Sequence, residues 1–157
     1  MVGRYFYHFS KMEQALDEGI GTLLRIERGA YAIVTTKVDF SVKIGILIAM
    51  EAHQAVLQTK HRKKLFNQLK EAAELRNVIA HSRFDPAESG GVVFYRKRVT
   101  TTLTSTEIRW NNEDIQRECK TLDLLAVTVK TLVETMTPYT PSLDFSDPRN
   151  SMYIPLL

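Results

Sequence analysis

The 157-residue chain is poor in the features that most directly announce a function. It has a single cysteine, Cys119, so no disulfide can form within it, and no Cys/His cluster has the spacing of a zinc site. Long hydrophobic runs are missing: the longest, Ile44 to Met50, falls far short of the about 20 residues a membrane span requires. The opening stretch Met1 to His8 is too polar for a secretion signal, so a cytoplasmic protein is expected. Neither sign of charge dominates, with 21 Lys+Arg against 18 Asp+Glu and a net charge of +3. That mild basic bias permits nucleic acid as a partner without demanding it. There is no Gly-x-Ser-x-Gly nucleophile turn. Gly19-Ile20-Gly21 is not followed by Gly-Lys-Ser/Thr, so it is no phosphate loop. No two of the four histidines have metal-pair spacing, and neither a metal nor a cofactor is expected.

What is present is an ordinary globular composition, 44% apolar and 25% charged, of a size that calls for one core. No internal repeat and no long linker interrupt it. Four segments carry helical patterning. The first spans about Tyr5 to Arg28, with Phe9, Met12, Leu16, Ile20 and Leu23 at spacings of three and four. Gly19 and Gly21 weaken it and point to close packing against a neighbour, and Gly29 is the expected end. The second spans about Lys37 to Thr59, with Thr36 and Asp39 as a capping box. It is apolar all round its axis, which predicts the buried central helix. The third spans about His61 to Arg83, with Leu65, Leu69, Ala72 and Ile79 in one stripe and Asp85-Pro86 beyond its end.

From Gly90 to Trp110 the pattern changes to β-formers. Val92 to Tyr95 and Val99 to Leu103, the latter continuing through Glu107 to Trp110, read as a hairpin inserted between helices three and four. The fourth helix repeats Ile115, Cys119, Leu122, Ala126, Val129, Val133 and Met136. Asn111 and Asp114 form its capping pair, and Trp110 is placed to staple onto Ile115. Pro138 follows its end. The expected fold is therefore mainly all-α: an antiparallel four-helix bundle over 1–137 with a β-hairpin at about 91–110. An irregular tail at 138–157 has Tyr153, Ile154, Leu156 and Leu157 available for the bundle or for a partner.

The chemistry concentrates in Glu74-Leu75-Arg76-Asn77-Val78-Ile79-Ala80-His81-Ser82-Arg83-Phe84. Arg76 lies on the apolar stripe of the third helix, where a cation needs a partner to offset lost hydration. His81 comes at the helix C-terminus, where the dipole favours its protonated form. Asn77 and His81, four apart, share a face. Arg76 and His81 lie about 7.5 Å apart along the axis, and the long arginine stem lets both reach one anion. A phosphodiester suits the pair. The guanidinium would neutralise developing charge, and the imidazole would move a proton near neutral pH.

This segment resembles the signature of the HEPN superfamily, small helical-bundle proteins in which an arginine, usually followed by a polar residue, precedes a histidine by four to six intervening positions. Arg76, the polar Asn77, then Val78-Ile79-Ala80 and His81 fit that pattern. At residue level the likeness covers about ten positions; in the order of helices it covers roughly Tyr5 to Met136. The resemblance implies a homodimer whose two motifs face one cleft, and a metal-independent endoribonuclease of the toxin or defence-effector kind. It would cut RNA through the 2′-hydroxyl to leave a 2′,3′-cyclic phosphate, with an antitoxin protein as a possible partner. On this chain His81 would be the general acid/base, Arg76 the phosphate contact and Asn77 a positioning group. Some subfamilies carry a modifiable tyrosine two residues after the histidine; here Arg83 stands there. Other members are non-catalytic, so a helical dimer acting as a protein- or RNA-binding module is the alternative.

Glu51, set in the apolar second helix, is the expected partner of Arg76. The basic runs Lys60, Arg62, Lys63, Lys64 and Arg96, Lys97, Arg98, the latter beside Phe94 and Tyr95, together with Arg83, are the candidate RNA contacts. His53 reads as a core or rim histidine, His8 and His61 as surface ones, and Glu71 and Glu74 as a solvated helix face.

Overall fold

The computed structural model describes residues 2–87, 90–99 and 103–138. Among these, the protein is mainly helical, with a small antiparallel sheet. Five helices, α1 (Val2–Leu23), α2 (Arg28–Thr35), α3 (Phe40–Gln54), α4 (Thr59–Ala80) and α5 (Asn112–Thr135), are joined by three strands, β1 (Arg83–Pro86), β2 (Val92–Val99) and β3 (Leu103–Trp110). All three strands lie between α4 and α5 in the chain and pair in the order β1-β2-β3.

α1 and α5 form the most extensive helix pair. The periodic residues of both helices supply its core: Phe9, Met12, Leu16, Ile20 and Leu23 from α1 meet Ile115, Cys119, Leu122, Ala126 and Val129 from α5. Gly19 lets the two axes approach, since a Cβ there would come within 2.7 Å of Val133 Cγ2. Gly21 does the same for Tyr31 of α2, whose ring atoms would lie 3.0–3.2 Å from an added Cβ. The start of α5 is a reciprocal capping box. Asn111 Oδ1 accepts from the Asp114 N–H at 2.9 Å, and the Asp114 carboxylate accepts from the Asn111 N–H at 3.0 Å. Trp110 and Ile115, flanking that cap, are both buried. An aromatic chain ties the sheet to the helices: Phe84 to Phe94 at 6.3 Å between centroids, Phe94 to Trp110 at 5.3 Å, and Trp110 to Tyr5 at 5.4 Å.

Several expectations require correction. α1 ends at Leu23, not near Arg28, because Arg25 takes a left-handed conformation (φ 53°) and the Ile26 N–H turns back to the Gly21 carbonyl. Gly29 then lies inside a further helix, α2, which the glycine obscured in the sequence. α3 starts at Phe40 with Asp39 as its N-cap, so Thr36 lies three residues ahead of the cap instead of forming it; turn hydrogen bonds continuing from α2 occupy that stretch. α3 is also not a fully buried central helix, since only Lys43, Ile44, Leu47 and Glu51 of its residues are buried. α4 stops at Ala80, and the residues read as its end form β1, an edge strand that tolerates Pro86. The hairpin is present, but Val99 ends β2 and Leu103 opens β3. The stretch 100–102, expected as strand, and the tail residues 139–157 lie outside the described residues.

Two outcomes test this packing. Gly19→Ala should destabilise the protein by about 1–3 kcal/mol through overpacking, read as a lower denaturant midpoint at unchanged slope, and Val133→Ala in the same chain should recover most of the loss. Asn111→Ala should cost about 1 kcal/mol, and a variant as stable as the parent would show that the box contributes nothing.

Candidate functional site

Arg76 and Asn77 sit in the last turn but one of α4. The Arg76 Nη1 donates to Asn77 Oδ1 at 3.1 Å, and the guanidinium carbon lies 5.9 Å from the Phe9 ring centroid of α1, within cation–π range. Its charge also reaches Tyr5, whose hydroxyl is buried with no hydrogen-bond partner among the described residues. Burial, followed by the charges of Glu118 and Cys119, pushes the Tyr5 phenol above its ordinary range, and Arg76 pulls against them. Arg76 and Asn77 line a cleft of about 440 Å³ together with Phe9 and Glu13 of α1, Thr36, and Asp39 and Phe40 at the start of α3. The N-terminal end of α3 adds partial positive charge on one side of the cleft, while Glu13 and Asp39 set carboxylates on its wall.

Glu13 is occupied. Lys43 of α3, with only 4% of its side chain exposed, lies 3.0 Å from Glu13 and 2.8 Å from Asp17, one turn apart on α1. Burial works against the ammonium, but the hydrogen bonds to Asp17 and Glu13 and the charges of both outweigh it and hold the lysine above its ordinary value. No sequence pattern revealed this network, because Lys43 sits among apolar neighbours and its partners lie about 30 positions away in another helix.

His81 is the C-cap of α4 (φ −109°, ψ 10°), its backbone N–H directed to the Asn77 and Ile79 carbonyls. Its side chain is exposed and is not part of the Arg76 cleft wall. Within one chain the two ends of the motif therefore open in different places. Glu51 is not the partner of Arg76. It is fully buried, with Oε1 accepting from the Leu57 N–H at 2.9 Å and Oε2 3.6 Å from Arg62 Nη1. The carboxylate thus fastens the corner between α3 and α4, and Arg62, expected as an RNA contact, is drawn into that corner.

Lys60, Lys63 and Lys64 are exposed in the first turns of α4, which hold no acidic residue and no side-chain cap. Cations at a helix N-terminus oppose the dipole, so the cluster is kept at a cost to the helix. It lies about 18–24 Å along α4 from Arg76, so the structure does not merge the two into one patch within a protomer. Arg83 is exposed, lies 3.4 Å from Asp85, and pairs across the sheet with Tyr95. Arg96, Lys97 and Arg98 occupy β2 opposite Thr106, Ser105 and Thr104; their side chains lie outside what is described. His61 and His53 are exposed. His8 is not a free surface residue, since its Nδ1 lies 2.8 Å from Asp123 Oδ1 of α5, and that bond holds the carboxyl below its ordinary range.

Comparison with protein-family models, with curated proteins and with solved structures finds no match. Among the described residues no helix is long and apolar enough to cross a membrane, and no three His, Cys, Asp or Glu side chains gather as a metal-binding group.

Lys43 supplies the test. Lys43→Met leaves two carboxylates against an apolar stem and should cost about 2–3 kcal/mol at neutral pH. A lysine whose folded pKa is raised contributes fully below its unfolded value and loses the contribution only above its folded one. The gap between variant and parent should therefore hold from neutral pH to about 10 and close at higher pH, measured by urea titration at stepped pH.

Proposed function

We propose that the protein is a metal-independent endoribonuclease of HEPN type, a toxin or defence effector working as a homodimer in the cytoplasm. In this reading α1, α3, α4 and α5 are the four-helix bundle and the sheet is its insertion. The observation that carries it is the cleft beside α4, where Arg76 and Asn77 stand next to the N-terminal end of α3, with His81 exposed at the end of the same helix. A phosphate entering the cleft meets the guanidinium and the positive end of a helix. Because His81 opens outside the cleft wall of its own chain, the reading needs two copies, the histidine of one meeting the arginine of the other across a shared groove.

The chemistry then follows. The imidazole withdraws the proton of the RNA 2′-hydroxyl, the resulting oxygen attacks the adjacent phosphorus, and the 5′-oxygen leaves with a proton returned to it. Arg76 stabilises the charge on the non-bridging oxygens. Lys60, Lys63 and Lys64, and separately Arg83 beside Tyr95, would supply phosphate contacts and stacking to the strand. An antitoxin protein would be needed to hold such an activity in check.

The engagement of Arg76 with Asn77 and Phe9, and the separation of His81 from the cleft, favour a second reading: a helical dimer that binds protein or RNA without cutting it. Incubation with RNA in EDTA separates the two. The nuclease reading expects products ending in 2′,3′-cyclic phosphate. It also expects losses of about 10²–10⁴-fold for His81→Ala and about 10²–10³-fold for Arg76→Ala, with the helical content of both variants intact. A folded His81→Ala that cuts at the parental rate removes His81 from the mechanism, and no cleavage by the parent selects the binding module.

A further inference from the structure

The cleft beside α4 carries charges of both signs, and a bare phosphate answers only one of them. Arg76 and the N-terminal end of α3 attract an anion. Glu13 and Asp39 stand on the same wall. The Glu13 carboxylate is neutralised from within the protein, by Lys43 at 3.0 Å. Asp39 is placed differently. It is the N-cap of α3, yet it is exposed and its side chain makes no capping bond. An N-cap aspartate ordinarily turns its carboxylate onto the N–H groups of its own helix; this one is not engaged there and lines the cleft instead.

Beside these charges the cleft is lined by two aromatic rings, Phe9 and half-buried Phe40, with centroids 5.0 Å apart. Its volume, about 440 Å³, falls within the about 300–1,000 Å³ of small-molecule sites. A ligand that satisfies the whole cleft needs an anion for Arg76, N–H donors for Asp39 and a flat apolar body for the rings. A nucleotide has all three. The base follows from the donors. A carboxylate offers acceptor oxygens and no proton. Guanine sets two donors side by side, N1–H and the N2 amino group, to match the two oxygens. Adenine and cytosine each present one amino group next to a ring nitrogen that is itself an acceptor. Uracil presents one N–H between two carbonyls. Each of these three turns lone pairs toward the carboxylate.

We propose that this cleft is a guanine-nucleotide subsite, in which Asp39 accepts from the guanine N1–H and N2 amino group, Phe40 lies beside the base and Arg76 holds the phosphate. The proposal deepens the reading above and rests on it for the polymer: within an RNA strand, Asp39 is the residue that selects guanosine. The same arrangement accounts for a carboxylate on the wall of a phosphate cleft, which a phosphate alone would disfavour.

Calorimetric titration of the full chain in EDTA tests it, with the 5′-monophosphates of guanosine, adenosine, cytidine, uridine and inosine as probes. Guanosine monophosphate should bind about tenfold or more tighter than the adenosine, cytidine and uridine nucleotides, the scale of one bidentate base contact. Inosine monophosphate lacks only the N2 amino group and should lose most of that advantage. Asp39→Asn keeps the size of the side chain and suits an N-cap equally well, but it replaces one acceptor oxygen with a donor. It should level the affinities while helical content is unchanged. Arg76→Ala should weaken all the nucleotides alike. Three results overturn the proposal: no binding of any nucleotide by the parent, binding without base preference, and a guanosine preference that Asp39→Asn leaves intact. The measurement needs no cleavage, so the two readings fail separately. Guanosine preference in a chain that does not cut RNA keeps the subsite and rejects the nuclease, and cutting of RNA without guanosine preference does the reverse.

Discussion

The rotation of α3 about its axis depends on one buried cation. Lys43 can sit inside the protein only between Glu13 and Asp17, and those two carboxylates are fixed by their places on α1, the helix that packs along α5. Meeting them draws Lys43 inward beside Ile44 and Leu47, while Phe40, Ile46, Ile48 and Met50 pack against the core from the flanks. The same turn sets Asp39 and Phe40 beside Arg76, which makes the cleft, and carries Val42, Gly45 and Ala49 to the outside. The cleft is thus a product of that one electrostatic choice.

Much of the fold was legible because period and capping are local. The stripes of α1, α4 and α5 run at helical spacing, Asn111 and Asp114 stand at the separation a capping box requires, and the β-formers between Gly90 and Trp110 contrast sharply with their surroundings. α3 was misjudged for a physical reason: hydropathy says what a side chain prefers, while Lys43 is buried by partners in a different helix. Glu51 was rightly expected to need a partner, but Arg62 stood in a run of cations that read as solvated, and proximity across the α3–α4 corner leaves no trace in the spacing. Of the cleft, Arg76 and Asn77 could be named from their pattern. Phe9, Glu13 and Asp39 could not, since they come from separate elements that only the tertiary fold brings together.

α4 carries its N-terminal lysines against its own dipole. Its first turns hold lysines where anions are favoured, and Arg76 lies on a face otherwise buried. The lysine placement weakens the helix in isolation, so its stability comes from packing: Leu65, Phe66, Leu69, Ala72 and Ile79 lie in the core. An element whose stability comes from its apolar stripe is free to use the rest of its surface for anions, and here that surface is divided between two ends about 18–24 Å apart.

Trp110 is the one indole of the chain. It is buried where the sheet meets α1, edge-on to both Phe94 and Tyr5. Its emission therefore reports the seating of the sheet on the helices and little else, whereas far-ultraviolet dichroism is dominated by the helices themselves. Loss of the sheet and loss of the helical core are thus separable optically, in the native chain and without an added label.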